Sequence, residues 1–289
     1  MSLRTKAEAL LVVVALIWGS TFVVVKAALN DASPLAFLTL RFNLAGLLLF
    51  VVLSRARMDR QAVIPGLVLG IFLFGGYLLQ TSGLRLTTPS KSAFITGFSV
   101  ILVPLILVLS GVRIRAASLA GGLLGLAGLY FLVIPSGLAA VNRGDILTLL
   151  GSISFAIHIV LVGTYTQRHS FVHLVPVQVL AVGLLAAAAL PSDRQRMLHW
   201  SVQLVFALVV TALLATGFAF SVQNWAQQFT PPAHTALIFA LEPVFAAVAS
   251  RVFMGEHLGG KVLIGSLLIL AGMVVSEIWG GSAPSPVAG

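Results

Sequence analysis

The sequence predicts an all-α integral membrane protein with ten transmembrane helices, arranged as two inverted halves of five. Three observations predict this fold: the composition, the number of long apolar segments, and an internal repeat. Of the 289 residues, 59% are hydrophobic and only 9% are charged, whereas a soluble domain carries about 25% charged residues. So few charged side chains cannot cover a water-exposed surface, and we therefore expect most of the surface to face lipid.

The distribution of basic residues fits a membrane protein rather than a nucleic-acid-binding protein. The formal net charge is +9, but Lys and Arg lie singly or in small clusters, such as Arg55, Arg57 and Arg60, between apolar segments. Basic residues in short loops orient a membrane protein. The chain has no cysteine, which excludes disulfides, thiolate metal sites and cysteine nucleophiles. We expect no metal, no cofactor and no nucleic-acid partner.

Ten segments are long and apolar enough to cross a bilayer, which takes about 20 helical residues. The first begins as a signal peptide does, but its apolar part exceeds the usual length of about 7–15 residues and no small-x-small cleavage site follows, so we expect an uncleaved helix. Turn-forming residues separate later segments at 31–34, 135–137 and 191–193. Residues 281–289, GSAPSPVAG, are rich in Gly, Ser and Pro, and we expect them to form a disordered tail. The predicted helices are 7–29, 34–53, 62–84, 90–110, 115–134, 143–166, 172–190, 201–228, 232–253 and 259–279.

A weak internal repeat divides these segments into a first half, 1–140, and a second half, 141–280. Shifts of 143, 144 and 137 align the third and fourth segments with the eighth and ninth, the fifth with the tenth, and the second with the seventh. Because five is an odd number, the second half must enter the membrane from the opposite side. Inverted repeats are typical of secondary transporters, whose substrate site lies between the halves near the bilayer midplane. Matched pairs include Gln80 with Gln223, Thr87 with Thr230, Pro89 with Pro232, Gly46 with Gly183, and Gly121 with Gly265.

The loop charges favour cytoplasmic N and C termini. With the N terminus inside, the cytoplasmic loops of the first half carry most of its basic residues, including Arg4, Lys6 and Arg55. In the second half the bias is reversed, with Arg168 inside and Arg194 among the basic residues outside. The first helices usually dominate orientation, so we expect both termini in the cytoplasm.

Four stretches carry a family resemblance: LIWGSTF at 16–22, LRF at 40–42, LEPVFA at 241–246, and Gly255-Glu256, which is followed by Gly265 and Gly272. With these the chain resembles the drug/metabolite transporter (DMT) superfamily, in particular the ten-helix EamA-type transporters with two EamA repeats. The resemblance implies two inverted five-helix bundles around a central cavity lined by helices 1, 3, 4, 6, 8 and 9. It also implies export of amino acids or related metabolites. Helix six has Phe155 and His158 where many relatives carry a tryptophan, so substrate identity does not carry over.

Glu242 is the most unusual residue of the predicted helices, because it is the one acidic residue of eight that falls near the middle of a span. An ionised carboxylate there costs about 2.5–3.5 kcal/mol on insertion scales, which suggests a proton carrier or a counter-ion for an ammonium group. Alternatively, Glu242 and Pro243 mark a helix kink. His158 is a second proton-coupling candidate or a hydrogen-bonded packing residue. Three roles are open for Arg41: it binds an anionic group, it pairs with another residue of the protein, or its side chain extends to the membrane interface.

Polar residues that share helix faces predict one substrate cavity. On the fourth helix Ser92, Thr96 and Ser99 recur at i, i+4 and i+7, hence on one face, and the shift of 143 carries the last two to Phe239 and Glu242. Such Ser and Thr residues also commonly bridge neighbouring helices. The predicted substrate-binding residues are Trp18, Thr21, Tyr77, Gln80, Thr96, Ser99, Ser154, His158, Gln223, Phe239 and Glu242, with Glu242 and His158 as proton-coupling candidates.

The sequence therefore predicts a secondary transporter that moves a small polar metabolite across the cytoplasmic (inner) membrane by alternating access. Amino acids, moved in the export direction, are the expected substrates, and protons are a possible coupling ion. Glycines of the fifth and tenth helices predict close packing within the chain or between subunits, so a monomer or weak homodimer is expected. The alternatives are a non-coupled channel or facilitator and an intramembrane lipid-modifying enzyme, although Gly-x-Ser-x-Gly and His-Glu-x-x-His motifs are absent.

Overall fold

The structure is a computed structural model that describes residues 2–53, 59–112, 116–133, 141–193, 197–256 and 259–280. This part of the chain is almost entirely helical. Short 3-10 turns occur at Arg60–Ala62 and Leu190–Ser192, and the π-helical segment Leu213–Phe218 joins α9 to α10. The α-helices are α1 Leu3–Ala28, α2 Pro34–Leu53, α3 Val63–Leu86, α4 Pro89–Thr96, α5 Ser99–Leu109, α6 Ala116–Val133, α7 Arg143–Tyr165, α8 Phe171–Ala189, α9 Val202–Ala212, α10 Ala219–Ala226, α11 Pro232–Phe239, α12 Glu242–Met254 and α13 Gly260–Gly280.

Eight helical segments of the described residues are long and apolar enough to cross a membrane. They correspond to the first four and the sixth to ninth predicted spans, which confirms an all-α, multi-pass membrane fold. The fifth and tenth predicted spans fall on α6 and α13, whose apolar stretches, Leu119–Gly128 and Leu263–Gly272, are shorter. The number of ten spans therefore stays a prediction. The predicted turn at 135–137 and the predicted tail at 281–289 lie outside the described residues.

Several helices begin where a polar side chain can accept a hydrogen bond from their first turn. Ser2 Oγ accepts from the Thr5 amide at 3.1 Å, so α1 begins four residues before the predicted boundary. At the start of α7, Asn142 Oδ1 accepts from the Asp145 amide, and Asp145 Oδ2 accepts from the Asn142 amide at 2.8 Å. This reciprocal pair is a capping box, which satisfies amide groups that have no partner inside the helix.

Two of the predicted spans are interrupted near their middle. The fourth breaks at Gly97–Phe98, between α4 and α5, and the ninth breaks at Ala240–Leu241, between α11 and α12. The two breaks lie 143 residues apart, the same shift that aligns the third and fourth predicted spans with the eighth and ninth. At each break the backbone stays in the right-handed helical region. Hydrogen bonds from residue i to residue i−3, such as Leu241 N to Ile238 O at 3.0 Å, occur there beside the usual bonds to residue i−4.

Close packing joins helices that the predicted repeat pairs with each other. α2 packs on α8, and α6 packs on α13. A Cβ atom on Gly183 would lie 2.8 Å from the Asn43 backbone nitrogen, and one on Gly272 would lie 2.5 Å from the Gly121 carbonyl oxygen. Glycine is needed at both positions because the backbones approach too closely for a side chain.

One end of the molecule, here called the Lys91 end, brings together the last turn of α1 and the starts of α4 and α7. Lys26 Nζ, from the last turn of α1, donates to the Thr87 carbonyl at 2.9 Å. Thr87 Oγ1 in turn donates to Asp145 Oδ1, in the first turn of α7, at 2.7 Å. Lys91 Nζ, in the first turn of α4, forms an ion pair with Asp145 Oδ2 at 2.6 Å.

The opposite end, here called the His234 end, brings together the start of α1, the residues after α7 and the start of α11. Glu8 Oε1 lies 3.5 Å from His234 Nε2. Gln167 Nε2, just after α7, donates to the Gln228 carbonyl, shortly before α11, at 3.3 Å. The start of α1 therefore lies at the same end as the end of α7, so these two helices run in opposite directions. This geometry supports the predicted inversion of the second half, which stays a prediction.

Candidate functional site

A central cavity lies where helices of both halves meet. It encloses about 710 Å³ of space between its atoms, including its open mouth. Side chains from α1 to α5 form one part of its wall, and side chains from α7, α10, α11 and α12 form the other. Ten of the eleven predicted substrate-binding residues lie in this wall: Trp18, Thr21, Tyr77, Gln80, Thr96, Ser99, His158, Gln223, Phe239 and Glu242.

Ser154 lies outside the cavity wall. Its Oγ donates to the Phe72 carbonyl of α3 at 2.7 Å, and a Cβ atom on Gly75 would come within 2.9 Å of that oxygen. The hydroxyl thus bridges α7 to α3, which is the alternative that the sequence left open for Ser and Thr residues.

The two helix breaks place four of the predicted residues in the cavity. Thr96 ends α4 and Ser99 begins α5, while Phe239 ends α11 and Glu242 begins α12. Neither α5 nor α12 has a side-chain cap at its start. The first residues of both half-helices, Ser99 and Glu242, line the cavity, and discontinuous helices of transporters likewise begin or end at the substrate site.

Glu242 is buried in the cavity wall, with 7% of its surface exposed. Among the described residues, its carboxylate has no hydrogen-bond or ion-pair partner. It stands in the first turn of α12, where the positive end of the helix dipole favours a negative charge. A buried carboxylate without a partner is costly, so this position is suited to a cation or an exchangeable proton.

Arg41, which sequence reasoning left open, is a second charged residue in the wall. It is 3% exposed, so it does not extend to the membrane interface. Nε donates to Thr216 Oγ1 at 2.8 Å, and Nη2 lies 3.4 Å from both the Tyr77 hydroxyl and the Ala215 carbonyl. The guanidinium carbon also lies 4.8 Å from the centre of the Tyr77 ring and 5.0 Å from that of Phe42. All of these partners are neutral.

The π-helical segment Leu213–Phe218 supplies two of these contacts, and the sequence did not predict it. Its Ala215 carbonyl also accepts from Trp18 Nε1 at 2.8 Å. A π-helical turn shifts the backbone hydrogen bonds from i−4 to i−5 and is often found at functional sites. Here the segment links α1 and α2 to the eighth predicted span at the cavity wall.

His158 belongs to a buried hydrogen-bond chain whose orientation is fixed at its far end. Asn224 Nδ2 donates to the Phe220 carbonyl at 2.9 Å, so Asn224 Oδ1 accepts from Gln178 Nε2 at 3.0 Å. Gln178 Oε1 therefore faces His158 Nε2 at 2.8 Å, and His158 must be the donor. This chain joins α7, α8 and α10 and gives His158 a structural role in addition to its place in the wall.

We expect His158→Ala to destabilise the fold, because it leaves Gln178 Oε1 buried without its donor, at a cost of about 1–3 kcal/mol. Thermal unfolding in detergent should show a lower Tm than the parent, whereas Thr164→Ala, which changes an exposed hydroxyl on the same helix, should leave it unchanged. An unchanged Tm with an altered pH dependence of transport would instead favour the proton-coupling interpretation.

The two glutamines that the shift of 143 pairs both line the cavity but make different contacts. Gln80 Nε2 donates to Thr96 Oγ1 at 2.8 Å. Gln227 Nε2 donates to the Ile159 carbonyl at 2.8 Å, so its oxygen faces Gln223 Nε2 at 3.0 Å. Gln223 Oε1 is left buried without a partner in the described part of the chain, which makes it an acceptor available in this wall.

Sequence reasoning missed the apolar part of the wall, because Leu, Phe and Ile are too frequent in these helices to stand out. The additional apolar residues are Phe22, Val25, Leu73, Leu84, Phe155, Ile159 and Phe220, and the polar Thr81 also lies in the wall. Trp18 packs against two aromatic neighbours, with ring centres 5.2 Å from Phe220 and 5.0 Å from Phe239. The cavity therefore combines a few buried polar groups with an aromatic surface, as small-molecule sites usually do.

A multi-pass helical fold with two interrupted helices at a central cavity is typical of membrane transport proteins. Residues 5–134 and 142–277 match the EamA-like transporter family, and the chain belongs to that family. The predicted resemblance is thereby confirmed.

Individual relatives agree with this assignment. An uncharacterized transporter of Archaeoglobus fulgidus is 36% identical over 277 residues, which cover 95% of this chain and 87% of that protein. The S-adenosylmethionine/S-adenosylhomocysteine transporter of Chlamydia muridarum is 41% identical over 92 residues, 29% of this chain and 28% of that one. One crystal structure superposes with a TM-score of 0.76 at 19% identity, covering 95% of this chain and 98% of the other. At that identity the likeness shows the fold alone.

Proposed function

We propose that this protein is a secondary transporter that binds a small polar metabolite in the central cavity and moves it by alternating access. One observation carries the proposal: the breaks at 97–98 and 240–241, 143 residues apart, both open onto the cavity and place Thr96, Ser99, Phe239 and Glu242 in its wall. Discontinuous helices in corresponding positions of two halves are the usual construction of a transporter's substrate site.

The polar contacts at the two ends of the molecule support alternating access. The shift of 137 carries Glu8 to Asp145, and the shift of 143 carries Lys91 to His234, so the Lys91–Asp145 contact and the Glu8–His234 contact are related by the repeat. Each joins a helix of the first half to a helix of the second. Because the cavity lies between the halves, the contact at whichever end opens must separate when substrate passes.

These contacts bracket the cavity along the helix axes. Lys91 precedes Thr96 by five residues on α4, and His234 precedes Phe239 by five on α11, which is about 7.5 Å along a helix. With the N terminus in the cytoplasm, as the first-half charges predict, the His234 end faces the cytoplasm and the Lys91 end faces outwards.

Amino acids, moved outwards across the cytoplasmic membrane, are the substrates that we propose. S-adenosylmethionine, one of the two substrates in the name of the chlamydial relative, carries an α-amino-acid group and is included among the candidates. Glu242 and His158 stay proposed as proton-coupling residues, and a monomer or weak homodimer is the proposed assembly.

Counterflow in liposomes containing the purified protein tests the proposal. The liposomes are loaded with an excess of one unlabelled amino acid or S-adenosylmethionine, and a trace of the labelled compound is added outside; protein-free liposomes are the control. A carrier predicts transient accumulation of label that saturates and is competed by the unlabelled compound. Label that only equilibrates, without saturation, would favour a channel, and flux of no compound would contradict the proposed substrates.

A further inference from the structure

Two opposite charges share the central cavity without pairing with each other. Arg41 and Glu242 both line it and are 3% and 7% exposed, yet they form no ion pair together. Tyr77, whose hydroxyl lies 3.4 Å from Arg41 Nη2, lines the same cavity as both. Two separate charges in a membrane interior are expensive unless groups of opposite sign reach them. A bound molecule that supplies both signs at once would satisfy them together.

The contacts of Arg41 orient its charge but do not neutralise it. Nε and Nη2 are directed to Thr216, Tyr77 and the Ala215 carbonyl, which are all uncharged. Among the described residues, Nη1 makes no hydrogen bond. A guanidinium held by neutral partners, with one nitrogen still free to donate, is suited to a carboxylate, because its planar donors match the two carboxylate oxygens.

Glu242 supplies a negative charge in the same cavity. It begins the half-helix α12, and its carboxylate has no hydrogen-bond partner among the described residues. An ammonium group has three donors and no acceptor, so Glu242 can take one of them. The Gln223 oxygen, which is buried in the wall and has no hydrogen-bond partner in the part of the chain that the structure describes, is a further acceptor for the same kind of group.

We propose that Arg41 and Glu242 are the two poles of a zwitterion site and determine substrate specificity: Arg41 binds the carboxylate of an α-amino acid, and Glu242 binds its ammonium group. A zwitterion has no net charge, so the occupied cavity has both of its own charges paired and gains none. The aromatic surface of Trp18, Phe220 and Phe239 then receives an apolar side chain. This inference rests on the proposed function and adds the residues that bind each end of the substrate.

Binding to the purified full-length protein in detergent tests the inference without requiring transport. Phenylalanine is compared by calorimetric titration and by thermal shift with phenethylamine, which lacks the carboxylate, and with 3-phenylpropionate, which lacks the ammonium group. We expect phenylalanine to bind and each analogue to bind about tenfold more weakly or worse, since each leaves one buried charge unpaired.

Two variants test which residue binds the carboxylate and which binds the ammonium group. Arg41→Gln should remove the preference for phenylalanine over phenethylamine but keep its preference over 3-phenylpropionate, and Glu242→Gln should do the reverse. Asp59→Asn, a change at an acidic residue outside the cavity, should keep both preferences. If Arg41→Gln does not fold, Arg41→Lys keeps the charge and should retain the carboxylate preference with lower affinity, because lysine lacks the planar pair of donors.

The outcomes that would contradict the zwitterion site can be distinguished from those that would contradict the proposed transport function. Folded variants that keep both preferences, or a parent protein that binds all three compounds equally, would overturn the zwitterion site. Saturable counterflow of a compound that lacks one of the two charged groups, with no binding of phenylalanine, would also overturn it while leaving the transporter assignment intact. A merely structural role of the two charges would change the Tm of the variants but not the order of the three ligands.

Discussion

Cross-linking either end of the protein across its polar contact is expected to abolish transport. The chain contains no cysteine, so the double variants Lys91→Cys/Asp145→Cys and Glu8→Cys/His234→Cys can each be joined by a short bifunctional thiosulfonate reagent without other reactive thiols. In an alternating-access carrier each end must open once in every cycle. A permanent bridge at either end therefore stops the cycle, and counterflow should fall to the level of protein-free liposomes.

The single-cysteine variants, treated with the same reagent, are the matched controls. They lose the same polar contact but cannot be bridged, so they should keep measurable counterflow. Reduction of the bridge should restore activity to that of the unbridged double variant. Full counterflow in a protein whose Lys91 end or His234 end is bridged would show that this end does not separate during transport.

Replacing Glu242 by Gln is expected to have the largest effect of any single substitution in the cavity wall. The change removes a negative charge and leaves the size of the side chain nearly unchanged, so insertion and folding should be preserved. If the carboxylate holds an ammonium group or an exchanged proton, the initial rate of transport should fall about tenfold or more, since a hydrogen bond to a charged group contributes about 1.5–3 kcal/mol.

The measurement is the initial counterflow rate at several pH values, together with the Tm and the elution profile of the purified variant. Asp59→Asn is the control, because Asp59 is an acid outside the cavity that caps a 3-10 turn through the Gln61 amide at 2.9 Å. A normal rate and an unchanged pH profile for Glu242→Gln would remove this residue from the mechanism and leave the Glu-Pro kink as its role.

The repeat was the most informative part of the sequence. The shift of 143 carries Thr96 and Ser99 to Phe239 and Glu242, and all four lie in the cavity wall at helix breaks. The breaks themselves could not be predicted from the sequence. Gly97 and Phe98 keep helical backbone angles, and only the hydrogen-bond pattern changes, which leaves no turn signal in the sequence.

The position of Arg41 could not be predicted because its partners are remote. It donates to Thr216, 175 residues away in the sequence, from a π-helical segment that resembles any other apolar helix. Nothing local distinguishes this arginine from one that extends to the interface.

Ser154 shows that a residue can share a helix face with a cavity residue and still lie outside the cavity. It lies four residues before His158, about 40° away around the helix, and so both were expected to face the cavity. Packing between α3 and α7 is close enough at Gly75 to cover the serine, while His158 lies beyond this contact. Whether a residue on the inward face reaches the cavity depends on how closely the neighbouring helix packs. The periodicity of one helix contains no information about that neighbour.

The most direct test of alternating access is binding of a labelled substrate from each side of a bridged protein. The two bridged double variants are prepared in right-side-out and inside-out vesicles, with the amino acid that gives the strongest counterflow as the probe. Each bridge should remove binding from its own side only: the Lys91 bridge from one face of the membrane and the His234 bridge from the other. Binding lost from both sides, or from neither, with either bridge would contradict a single cavity that opens alternately to the two sides.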